Sequence, residues 1–299
     1  MKYILIIIIL FINSSAFAEI LIPMDLVQTN HLKAYGIAFS ALKEQITVTW
    51  LLNYRGGSYL IPDSYAIESL CNIRGVFYEV ISAPEVVNIQ AEIDVSNMDM
   101  IILEKEPKIA IYTPPNRHPW DDAVTLALTY ADIDYDTLWD EEVLLGKLDE
   151  YDWLHLHHED FTGQYGKFYS SFRNSAWYIE DVRINEEMAA GLGFRKVWQL
   201  KHAVVEKIYE YVRNGGFLFA MCAATDTYDI ALAARYVDIC ESVFDGDGMD
   251  PDYENKLDFT RTFAFENFTL ISNPYQYEFS SIDASDYAKL RGPEADYFT

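Results

Sequence analysis

The 299 residues carry 22 basic and 47 acidic side chains, a formal charge of −25, and are 51% hydrophobic and 15% aromatic. Such a chain has the material for a packed core, which excludes bulk disorder. Its charge repels nucleic acid and anionic lipid, which excludes nucleic acid as a partner. The acidic residues are spread along the chain, so they read as a solvated surface with room for a cation-binding patch.

Residues 1–18, MKYILIIIILFINSSAFA, place Lys2 ahead of an apolar run from Tyr3 to Ile12 and end in Ala16-Phe17-Ala18. A positive start, a short apolar run and a small-x-small end form a secretory signal peptide, cut after Ala18. The run is too short for a membrane span, and no later segment has the ~18 unbroken apolar residues a spanning helix needs. The mature protein is expected to be exported, periplasmic or extracellular, with no membrane insertion after cleavage.

Short apolar strands then alternate with amphipathic helices. EILIPM reads as a strand and NHLKAYGIAFSALKEQ as a helix capped by Asn30, with Leu32, Tyr35, Ile37, Phe39 and Leu42 as apolar surface. ITVTWLL is the next strand. DSYAIESLCNIRG is a helix with Asp63 as N-cap and Gly75 near its end. VFYEVIS reads as a strand and PEVVNIQAEI as a short helix. Between ITVTWLL and DSYAIESLCNIRG, the loop NYRGGS offers Arg55 as an anion clamp and Gly56 and Gly57 for close backbone approach. A plain turn fits the same residues.

A second series follows DMIILE, with a seam at Glu104–Pro107 that divides 19–104 from 105–299. KIAIYTPP is a buried strand, and PWDDAVTLALTYADI a helix opened by Pro119 and acids. YDTLWDEEVL holds a strand and turn, and YDWLHLHHEDF starts as a strand. An aromatic insertion from Thr162 to Trp177 could cover a pocket or simply pack. KHAVVEKIYEYVRNGG, FLFAMC and TDTYDIALAARYVDI give helix, strand and helix. This order predicts a mainly parallel sheet between helices, a three-layer α/β sandwich preceded by a smaller α/β segment. Ligands in such sheets bind outside the carboxyl ends of the strands. The loops after Met24, Leu52, Tyr112, Leu156 and Met221 are the places to look.

Two of those loops carry chemistry. In HLHHEDF the period of a strand puts His155 and His157 on one face. His158, Glu159 and Asp160 then reach past the strand's carboxyl end, as a ligand site or as partners of Cys222; the three histidines and two acids together can also bind a transition metal, and a polar strand end with satisfied histidines fits the same residues. In GGFLFAMCAATD, Cys222 stands where a buried strand turns into a helix. A helix N-terminus favours thiolate and offers N–H groups to an oxyanion. A small residue packed at a strand–helix junction is the alternative. Cys71, Cys222 and Cys240 are the three cysteines. A helix between Cys222 and Cys240 would hold them apart, so no disulfide is expected. FDGDGMDPDYEN brings Asp245, Asp247, Asp250 and Asp252 into one oxygen-rich loop, which suits calcium or a plain solvated turn.

The order strand, helix, Gly-Gly, strand, Cys resembles the class I glutamine amidotransferase-like fold, a flavodoxin-like sheet with its cysteine on a nucleophile elbow. That elbow is usually Gly-x-Cys-x-Gly; here alanines, Ala220 and Ala224, stand at both glycine positions. GGFLFAMCAATDT is similar to the trehalose-utilisation (ThuA-like) branch, where Cys222 takes the place of a histidine and Thr225 and Asp226 match. HLKAYGIA, WLLNYRGGS, WLHLHHEDFTGQYGKF and FLFAMCAATDT resemble blocks of exported bacterial proteins commonly labelled asparagine synthetase B. The residues do not support that label, because Met1 is followed by Lys2 rather than cysteine and YRGGSY is not a pyrophosphate loop.

The resemblance implies an exported protein that acts on or binds a small molecule or carbohydrate at the sheet's carboxyl edge. Cys222, His157, His158 and Glu159 are then the catalytic candidates, with Arg55, Gly56, Gly57, Asp160, Thr225 and Asp226 as ligand contacts. The alternatives it leaves are a cysteine-dependent amidase, hydrolysing glutamine or a related amide, and a non-catalytic recognition module. Amidotransferase-like domains carry a histidine beyond the nucleophile, and this sequence has none after Cys222. The polar tail ends with no closing strand or helix. The expectation is therefore a 105–299 domain incomplete at its C-terminus, with an exposed sheet edge, or else a site that has lost its base and does no cysteine–histidine chemistry.

Overall fold

The computed structural model describes residues 18–115 and 123–283. The expected signal peptide, Pro119 and most of the polar tail lie outside the described residues. Among the described residues the chain forms two compact units, one of residues 18–106 with 127–133, the other of 107–115 and 123–126 with 134–283.

The first unit contains β1 (Glu19–Ile22), α1 (His31–Lys43), β2 (Val48–Leu52), β3 (Ser58–Pro62), α2 (Tyr65–Arg74), β4 (Glu79–Ile81), α3 (Ala83–Asp94) and β5 (Asp99–Leu103). Its sheet has the order β4-β1-β3-β2-β5. Every pairing in it is antiparallel, against the parallel sheet that the alternation of elements predicts. The reason is local. SYLIP, which begins where the NYRGGS loop ends, is strand β3, an element not among those predicted, and only residues 53–57 separate it from β2. A connection that short can only fold the chain back on itself. Both faces are still covered, as the period of two demands. Ile20, Ile22 and Ile61 pack with Ile37 and Ala41 of α1 and Ile67 of α2. Leu21, Leu51 and Leu60 pack with Ile89 and Ile93 of α3.

Asn30 caps α1, its side chain accepting the N–H of Lys33 at 3.2 Å. Leu32 and Tyr35 of that helix are exposed, and Ala34, Ala38 and Ala41 are buried in the face where bulkier residues were expected. Ser64, not Asp63, caps α2, which ends at Gly75 in the left-handed conformation (φ 68°).

The second unit contains β6 (Ile109–Tyr112), the first four residues of α4 (Ala123–Ala131, assigned to the first unit from Ala127 on), β7 (Asp136–Leu138), α5 (Asp140–Leu144), β8 (Trp153–Leu156), α6 (Tyr169–Phe172), α7 (Ala176–Gly191), α8 (Val197–Arg213), β9 (Phe217–Ala220), α9 (Ala223–Ala233) and α10 (Ser242–Asp245). Its sheet has the order β7-β6-β8-β9, with every pairing parallel. The α/β class and the flavodoxin-like strand order thus hold in this unit. Tyr112, Leu154 and Leu156 of the sheet join Val204, Val205 and Ile208 of α8 and Tyr228 and Leu232 of α9 in one core. The order reverses between β6 and β8, so the loops after Tyr112 and Leu156 diverge there and open a crevice.

Candidate functional site

β9 ends at Ala220, α9 begins at Ala223, and Cys222 makes the turn between them with φ 48° and ψ −135°. A non-glycine residue held there costs roughly 1–3 kcal/mol, and such strain persists only where its surroundings enforce it. The enforcing contacts are visible. The N–H of Met221 donates to Leu156 O at 3.0 Å and that of Ala224 to His157 O at 3.0 Å. Thr227 Oγ1 donates to Glu159 O at 2.9 Å and to Ala223 O at 2.6 Å. The start of α9 is thereby stitched to the segment leaving β8, and the cysteine is left exposed on the bend. This is the geometry of a nucleophile elbow.

His157 leaves the neighbouring strand and places Nε2 3.2 Å from Cys222 Sγ. Its backbone N–H donates to Glu159 Oε2 at 2.6 Å, which fixes the turn that presents the ring. The exposed His158 ring lies on that of His157, with centroids 3.5 Å apart. His155, one strand period back, is buried on the same face and is bonded at Nδ1 to Phe219 O, 3.1 Å away. Ala223 opens α9; the N–H groups of Ala224 and Thr225 are bonded to His157 O and Cys222 O, each at 3.0 Å, which leaves the N–H of Ala223, the residue after the cysteine, as the candidate anion donor of the helix end.

Asp226 is buried in the first turn of α9, and burial, reinforced by the charge of Asp283, pushes its carboxyl up to about 7. Thr225 is half-buried beside it. Tyr277 is raised as well, by burial first and then by Asp283, Asp226 and Cys222.

A cleft starts at His158 and is lined by Glu159, Asp160, Tyr165, Trp139 and Lys201, among others. Asp160 shapes it: Oδ1 accepts from Thr162 N–H (2.7 Å) and Oγ1 (2.6 Å), and Oδ2 from Gly166 N–H (2.9 Å). Gly166, with φ 67°, lines the cleft where a Cβ would strike the Phe168 ring at 2.5 Å. Sequence reading of the aromatic insertion left open whether it covers a pocket or packs. Tyr165 and Phe168 do both, lining the cleft while Phe168 packs against Phe172 and Trp177. At the cleft's base Lys201 Nζ meets the buried Asp140 at 2.8 Å, and Tyr112 O–H donates to the same carboxylate. None of these three was foreseen. Lys201 lies on an ordinary amphipathic helix, and Asp140 looks like any acid in a helix's first turn.

The other expected sites are engaged differently. Arg55, in the first unit, is held by Asp25 at 2.7 Å and Glu79 at 2.9 Å. Gly56 and Gly57 form the β2–β3 turn, with φ 83° and 92°. NYRGGS thus acts as the turn of a hairpin, and its guanidinium is already paired with two carboxylates. In the acidic loop the converging oxygens are those of Asp238, Asp245 and Asp247. Lys196 Nζ bonds Asp247 Oδ1 and Asp245 O, each at 2.6 Å, and so lies where a calcium ion would be sought. Asp250 instead accepts the N–H of Asp238, and Asp252 the side-chain amide of Asn255. The three thiols are free, with Cys71 and Cys240 buried. No helix among the described residues is long and apolar enough to cross a membrane.

No protein-family model, curated protein or solved structure matches the chain.

Proposed function

We propose that this is an exported hydrolase that cleaves a small-molecule or carbohydrate-linked amide through Cys222, in the manner of the amidotransferase-like proteins its sequence resembles. The carrying observation is the 3.2 Å contact between Cys222 Sγ and His157 Nε2 on a strained strand-to-helix turn. The base in this reading comes from just beyond the preceding strand, β8. A nucleophile and base within hydrogen-bond reach, beside a helix N-terminus and a cleft, are the parts that acyl transfer needs.

In the reaction His157 Nε2 takes the thiol proton as sulfur bonds to the carbonyl carbon. The oxyanion forms against the backbone N–H of Ala223, the residue after the nucleophile. The imidazolium returns its proton to the departing amine as the C–N bond breaks, leaving a thioester on Cys222. Water, deprotonated by the same imidazole, then releases the acid and restores the thiol. Glu159 positions His157 through its backbone, and the cleft beside His158 receives the remainder of the substrate.

The test is to react the purified chain with an activated acyl ester and screen it against amide and glycoside libraries. Wild type acquires a single acyl adduct on Cys222, with turnover lost in C222A and H157A. Amide turnover that survives in C222A, or an absence of acylation at Cys222, would sink the reading.

A further inference from the structure

The elbow gathers more than one base around its sulfur. His157, His158 and Cys222 each present a ligand atom, and the three atoms lie within 4.8 Å of one another. Two imidazole nitrogens and a thiolate are the donors that zinc, and cobalt(II) in its place, bind well. Zn–N bonds of about 2.0–2.1 Å and a Zn–S bond of about 2.3 Å put tetrahedral donors about 3.5 Å apart. The Cys222–His157 edge, at 3.2 Å, is near that already. His158 is the exposed member and has to close the remaining gap, which a rotation of its side chain can do. Three protein donors leave the fourth position to water.

The surroundings favour a cation. The carboxylates of Glu159 and Asp160 at the head of the cleft follow His158 directly in the chain and put negative charge beside the three donors. The whole chain adds a formal −25, which raises local cation concentration. The other converging cluster, Asp238, Asp245 and Asp247, offers only oxygen and already holds the ammonium of Lys196.

We infer that His157, His158 and Cys222 form a zinc-type transition-metal site at the elbow, and that the bound ion shuts off cysteine chemistry there. Binding replaces the S–H bond with an S–metal bond, and the proton leaves to solvent. The ion also takes the Nε2 lone pair that would accept the thiol proton. Metal binding stands on the donor geometry alone. Its inhibitory consequence rests on the hydrolase reading above.

Cobalt(II) titration of the reduced, full-length protein separates the two. The expected result is a thiolate-to-cobalt charge-transfer band with intense tetrahedral d–d bands, saturating at equimolar metal. C222S loses the charge-transfer band, because no oxygen-only site can produce it. H158A weakens cobalt binding by about 10-fold or more, and circular dichroism checks that it folds. In a second arm, zinc slows iodoacetamide labelling of Cys222 in wild type but not in H158A, each compared with its own zinc-free rate. No charge-transfer band in wild type, or the same affinity in H158A, overturns the site. If the cobalt signature appears in a protein with no amide turnover, the metal site stands and the hydrolase reading falls.

Discussion

Lys201 Nζ lies 2.8 Å from Asp140 Oδ2, and the two side chains are only 4% and 0% exposed. The ammonium also sits 3.8 Å over the Trp139 ring, and Tyr112 O–H completes the carboxylate's coordination. Two buried charges are tolerable only as a pair, and removing one leaves the other desolvated without compensation. K201M is therefore expected to cost about 3–5 kcal/mol of stability, while the double variant K201M/D140L recovers most of the loss. Urea unfolding followed by tryptophan fluorescence measures both. A K201M loss below about 1 kcal/mol would show that the pair contributes little.

This pair also marks the limit of what the sequence discloses. Elements announced by local pattern were legible: the parallel strands ending at Tyr112, Leu156 and Ala220, the Asn30 cap, and Cys222 at a strand-to-helix junction. Period and turn chemistry act over a few residues and leave a signature in them. β3, Ser58–Pro62, directly follows a glycine pair and was not among the predicted elements, and its pairing with β2 is antiparallel. The cysteine–histidine contact was legible as a choice among three histidines. Strand register then brings β8 and β9 side by side, with Leu156 opposite Ala220, and His157 is the next residue beyond. Lys201 and Asp140 left no signature, because their meeting depends on how α5 and α8 pack.

Asp226 gives stability a pH dependence of definite sign. Burial raises its carboxyl from the ordinary 3.8 to about 7. Between those values the folded chain keeps a proton that the unfolded chain has released, so stability falls as pH rises from about 4 to about 7. D226N removes this loss. Its stability relative to wild type is expected to grow by about 2–4 kcal/mol across that window and to stay flat below pH about 4. Urea midpoints at a series of pH values test it, and parallel curves for the two proteins would refute it.

His202 works in the opposite direction over nearly the same range. It is buried against Trp198, both ring nitrogens lack a hydrogen-bond partner among the described residues, and desolvation lowers it from 6.5 to about 4. The folded state holds it neutral while the unfolded state takes up a proton, so its contribution is present above pH about 6.5 and is lost as pH falls toward 4. H202L abolishes that slope. Relative to wild type it should gain about 1–3 kcal/mol between pH 7 and pH 4, the reverse of the D226N trend. A matching trend in the two variants would show that one of the two groups has been misassigned.

The segment from Asp258 to Asp283 is held on the second unit by two buried side chains. Asp229 of α9 accepts the backbone N–H groups of Phe263, Ala264 and Phe265, each at 2.8 Å. Lys167 donates to the carbonyls of Ile271 at 2.5 Å and Asn273 at 3.2 Å, and desolvation lowers its ammonium to about 8. A carboxylate taking three backbone donors is an anchor, because each bond to a charged group is worth about 1.5–3 kcal/mol. D229A strands three N–H groups and should destabilise the fold by about 3 kcal/mol, D229N somewhat less, since an amide offers one acceptor oxygen. K167M keeps the side chain's bulk and leaves two carbonyls unpaired. Limited proteolysis distinguishes anchoring from general destabilisation. Both variants are expected to be cut first within 258–283, before any cleavage in α8 or α9, whereas K201M should expose sites throughout the second unit. Cleavage that spreads equally in all three would mean that this segment is not separately held.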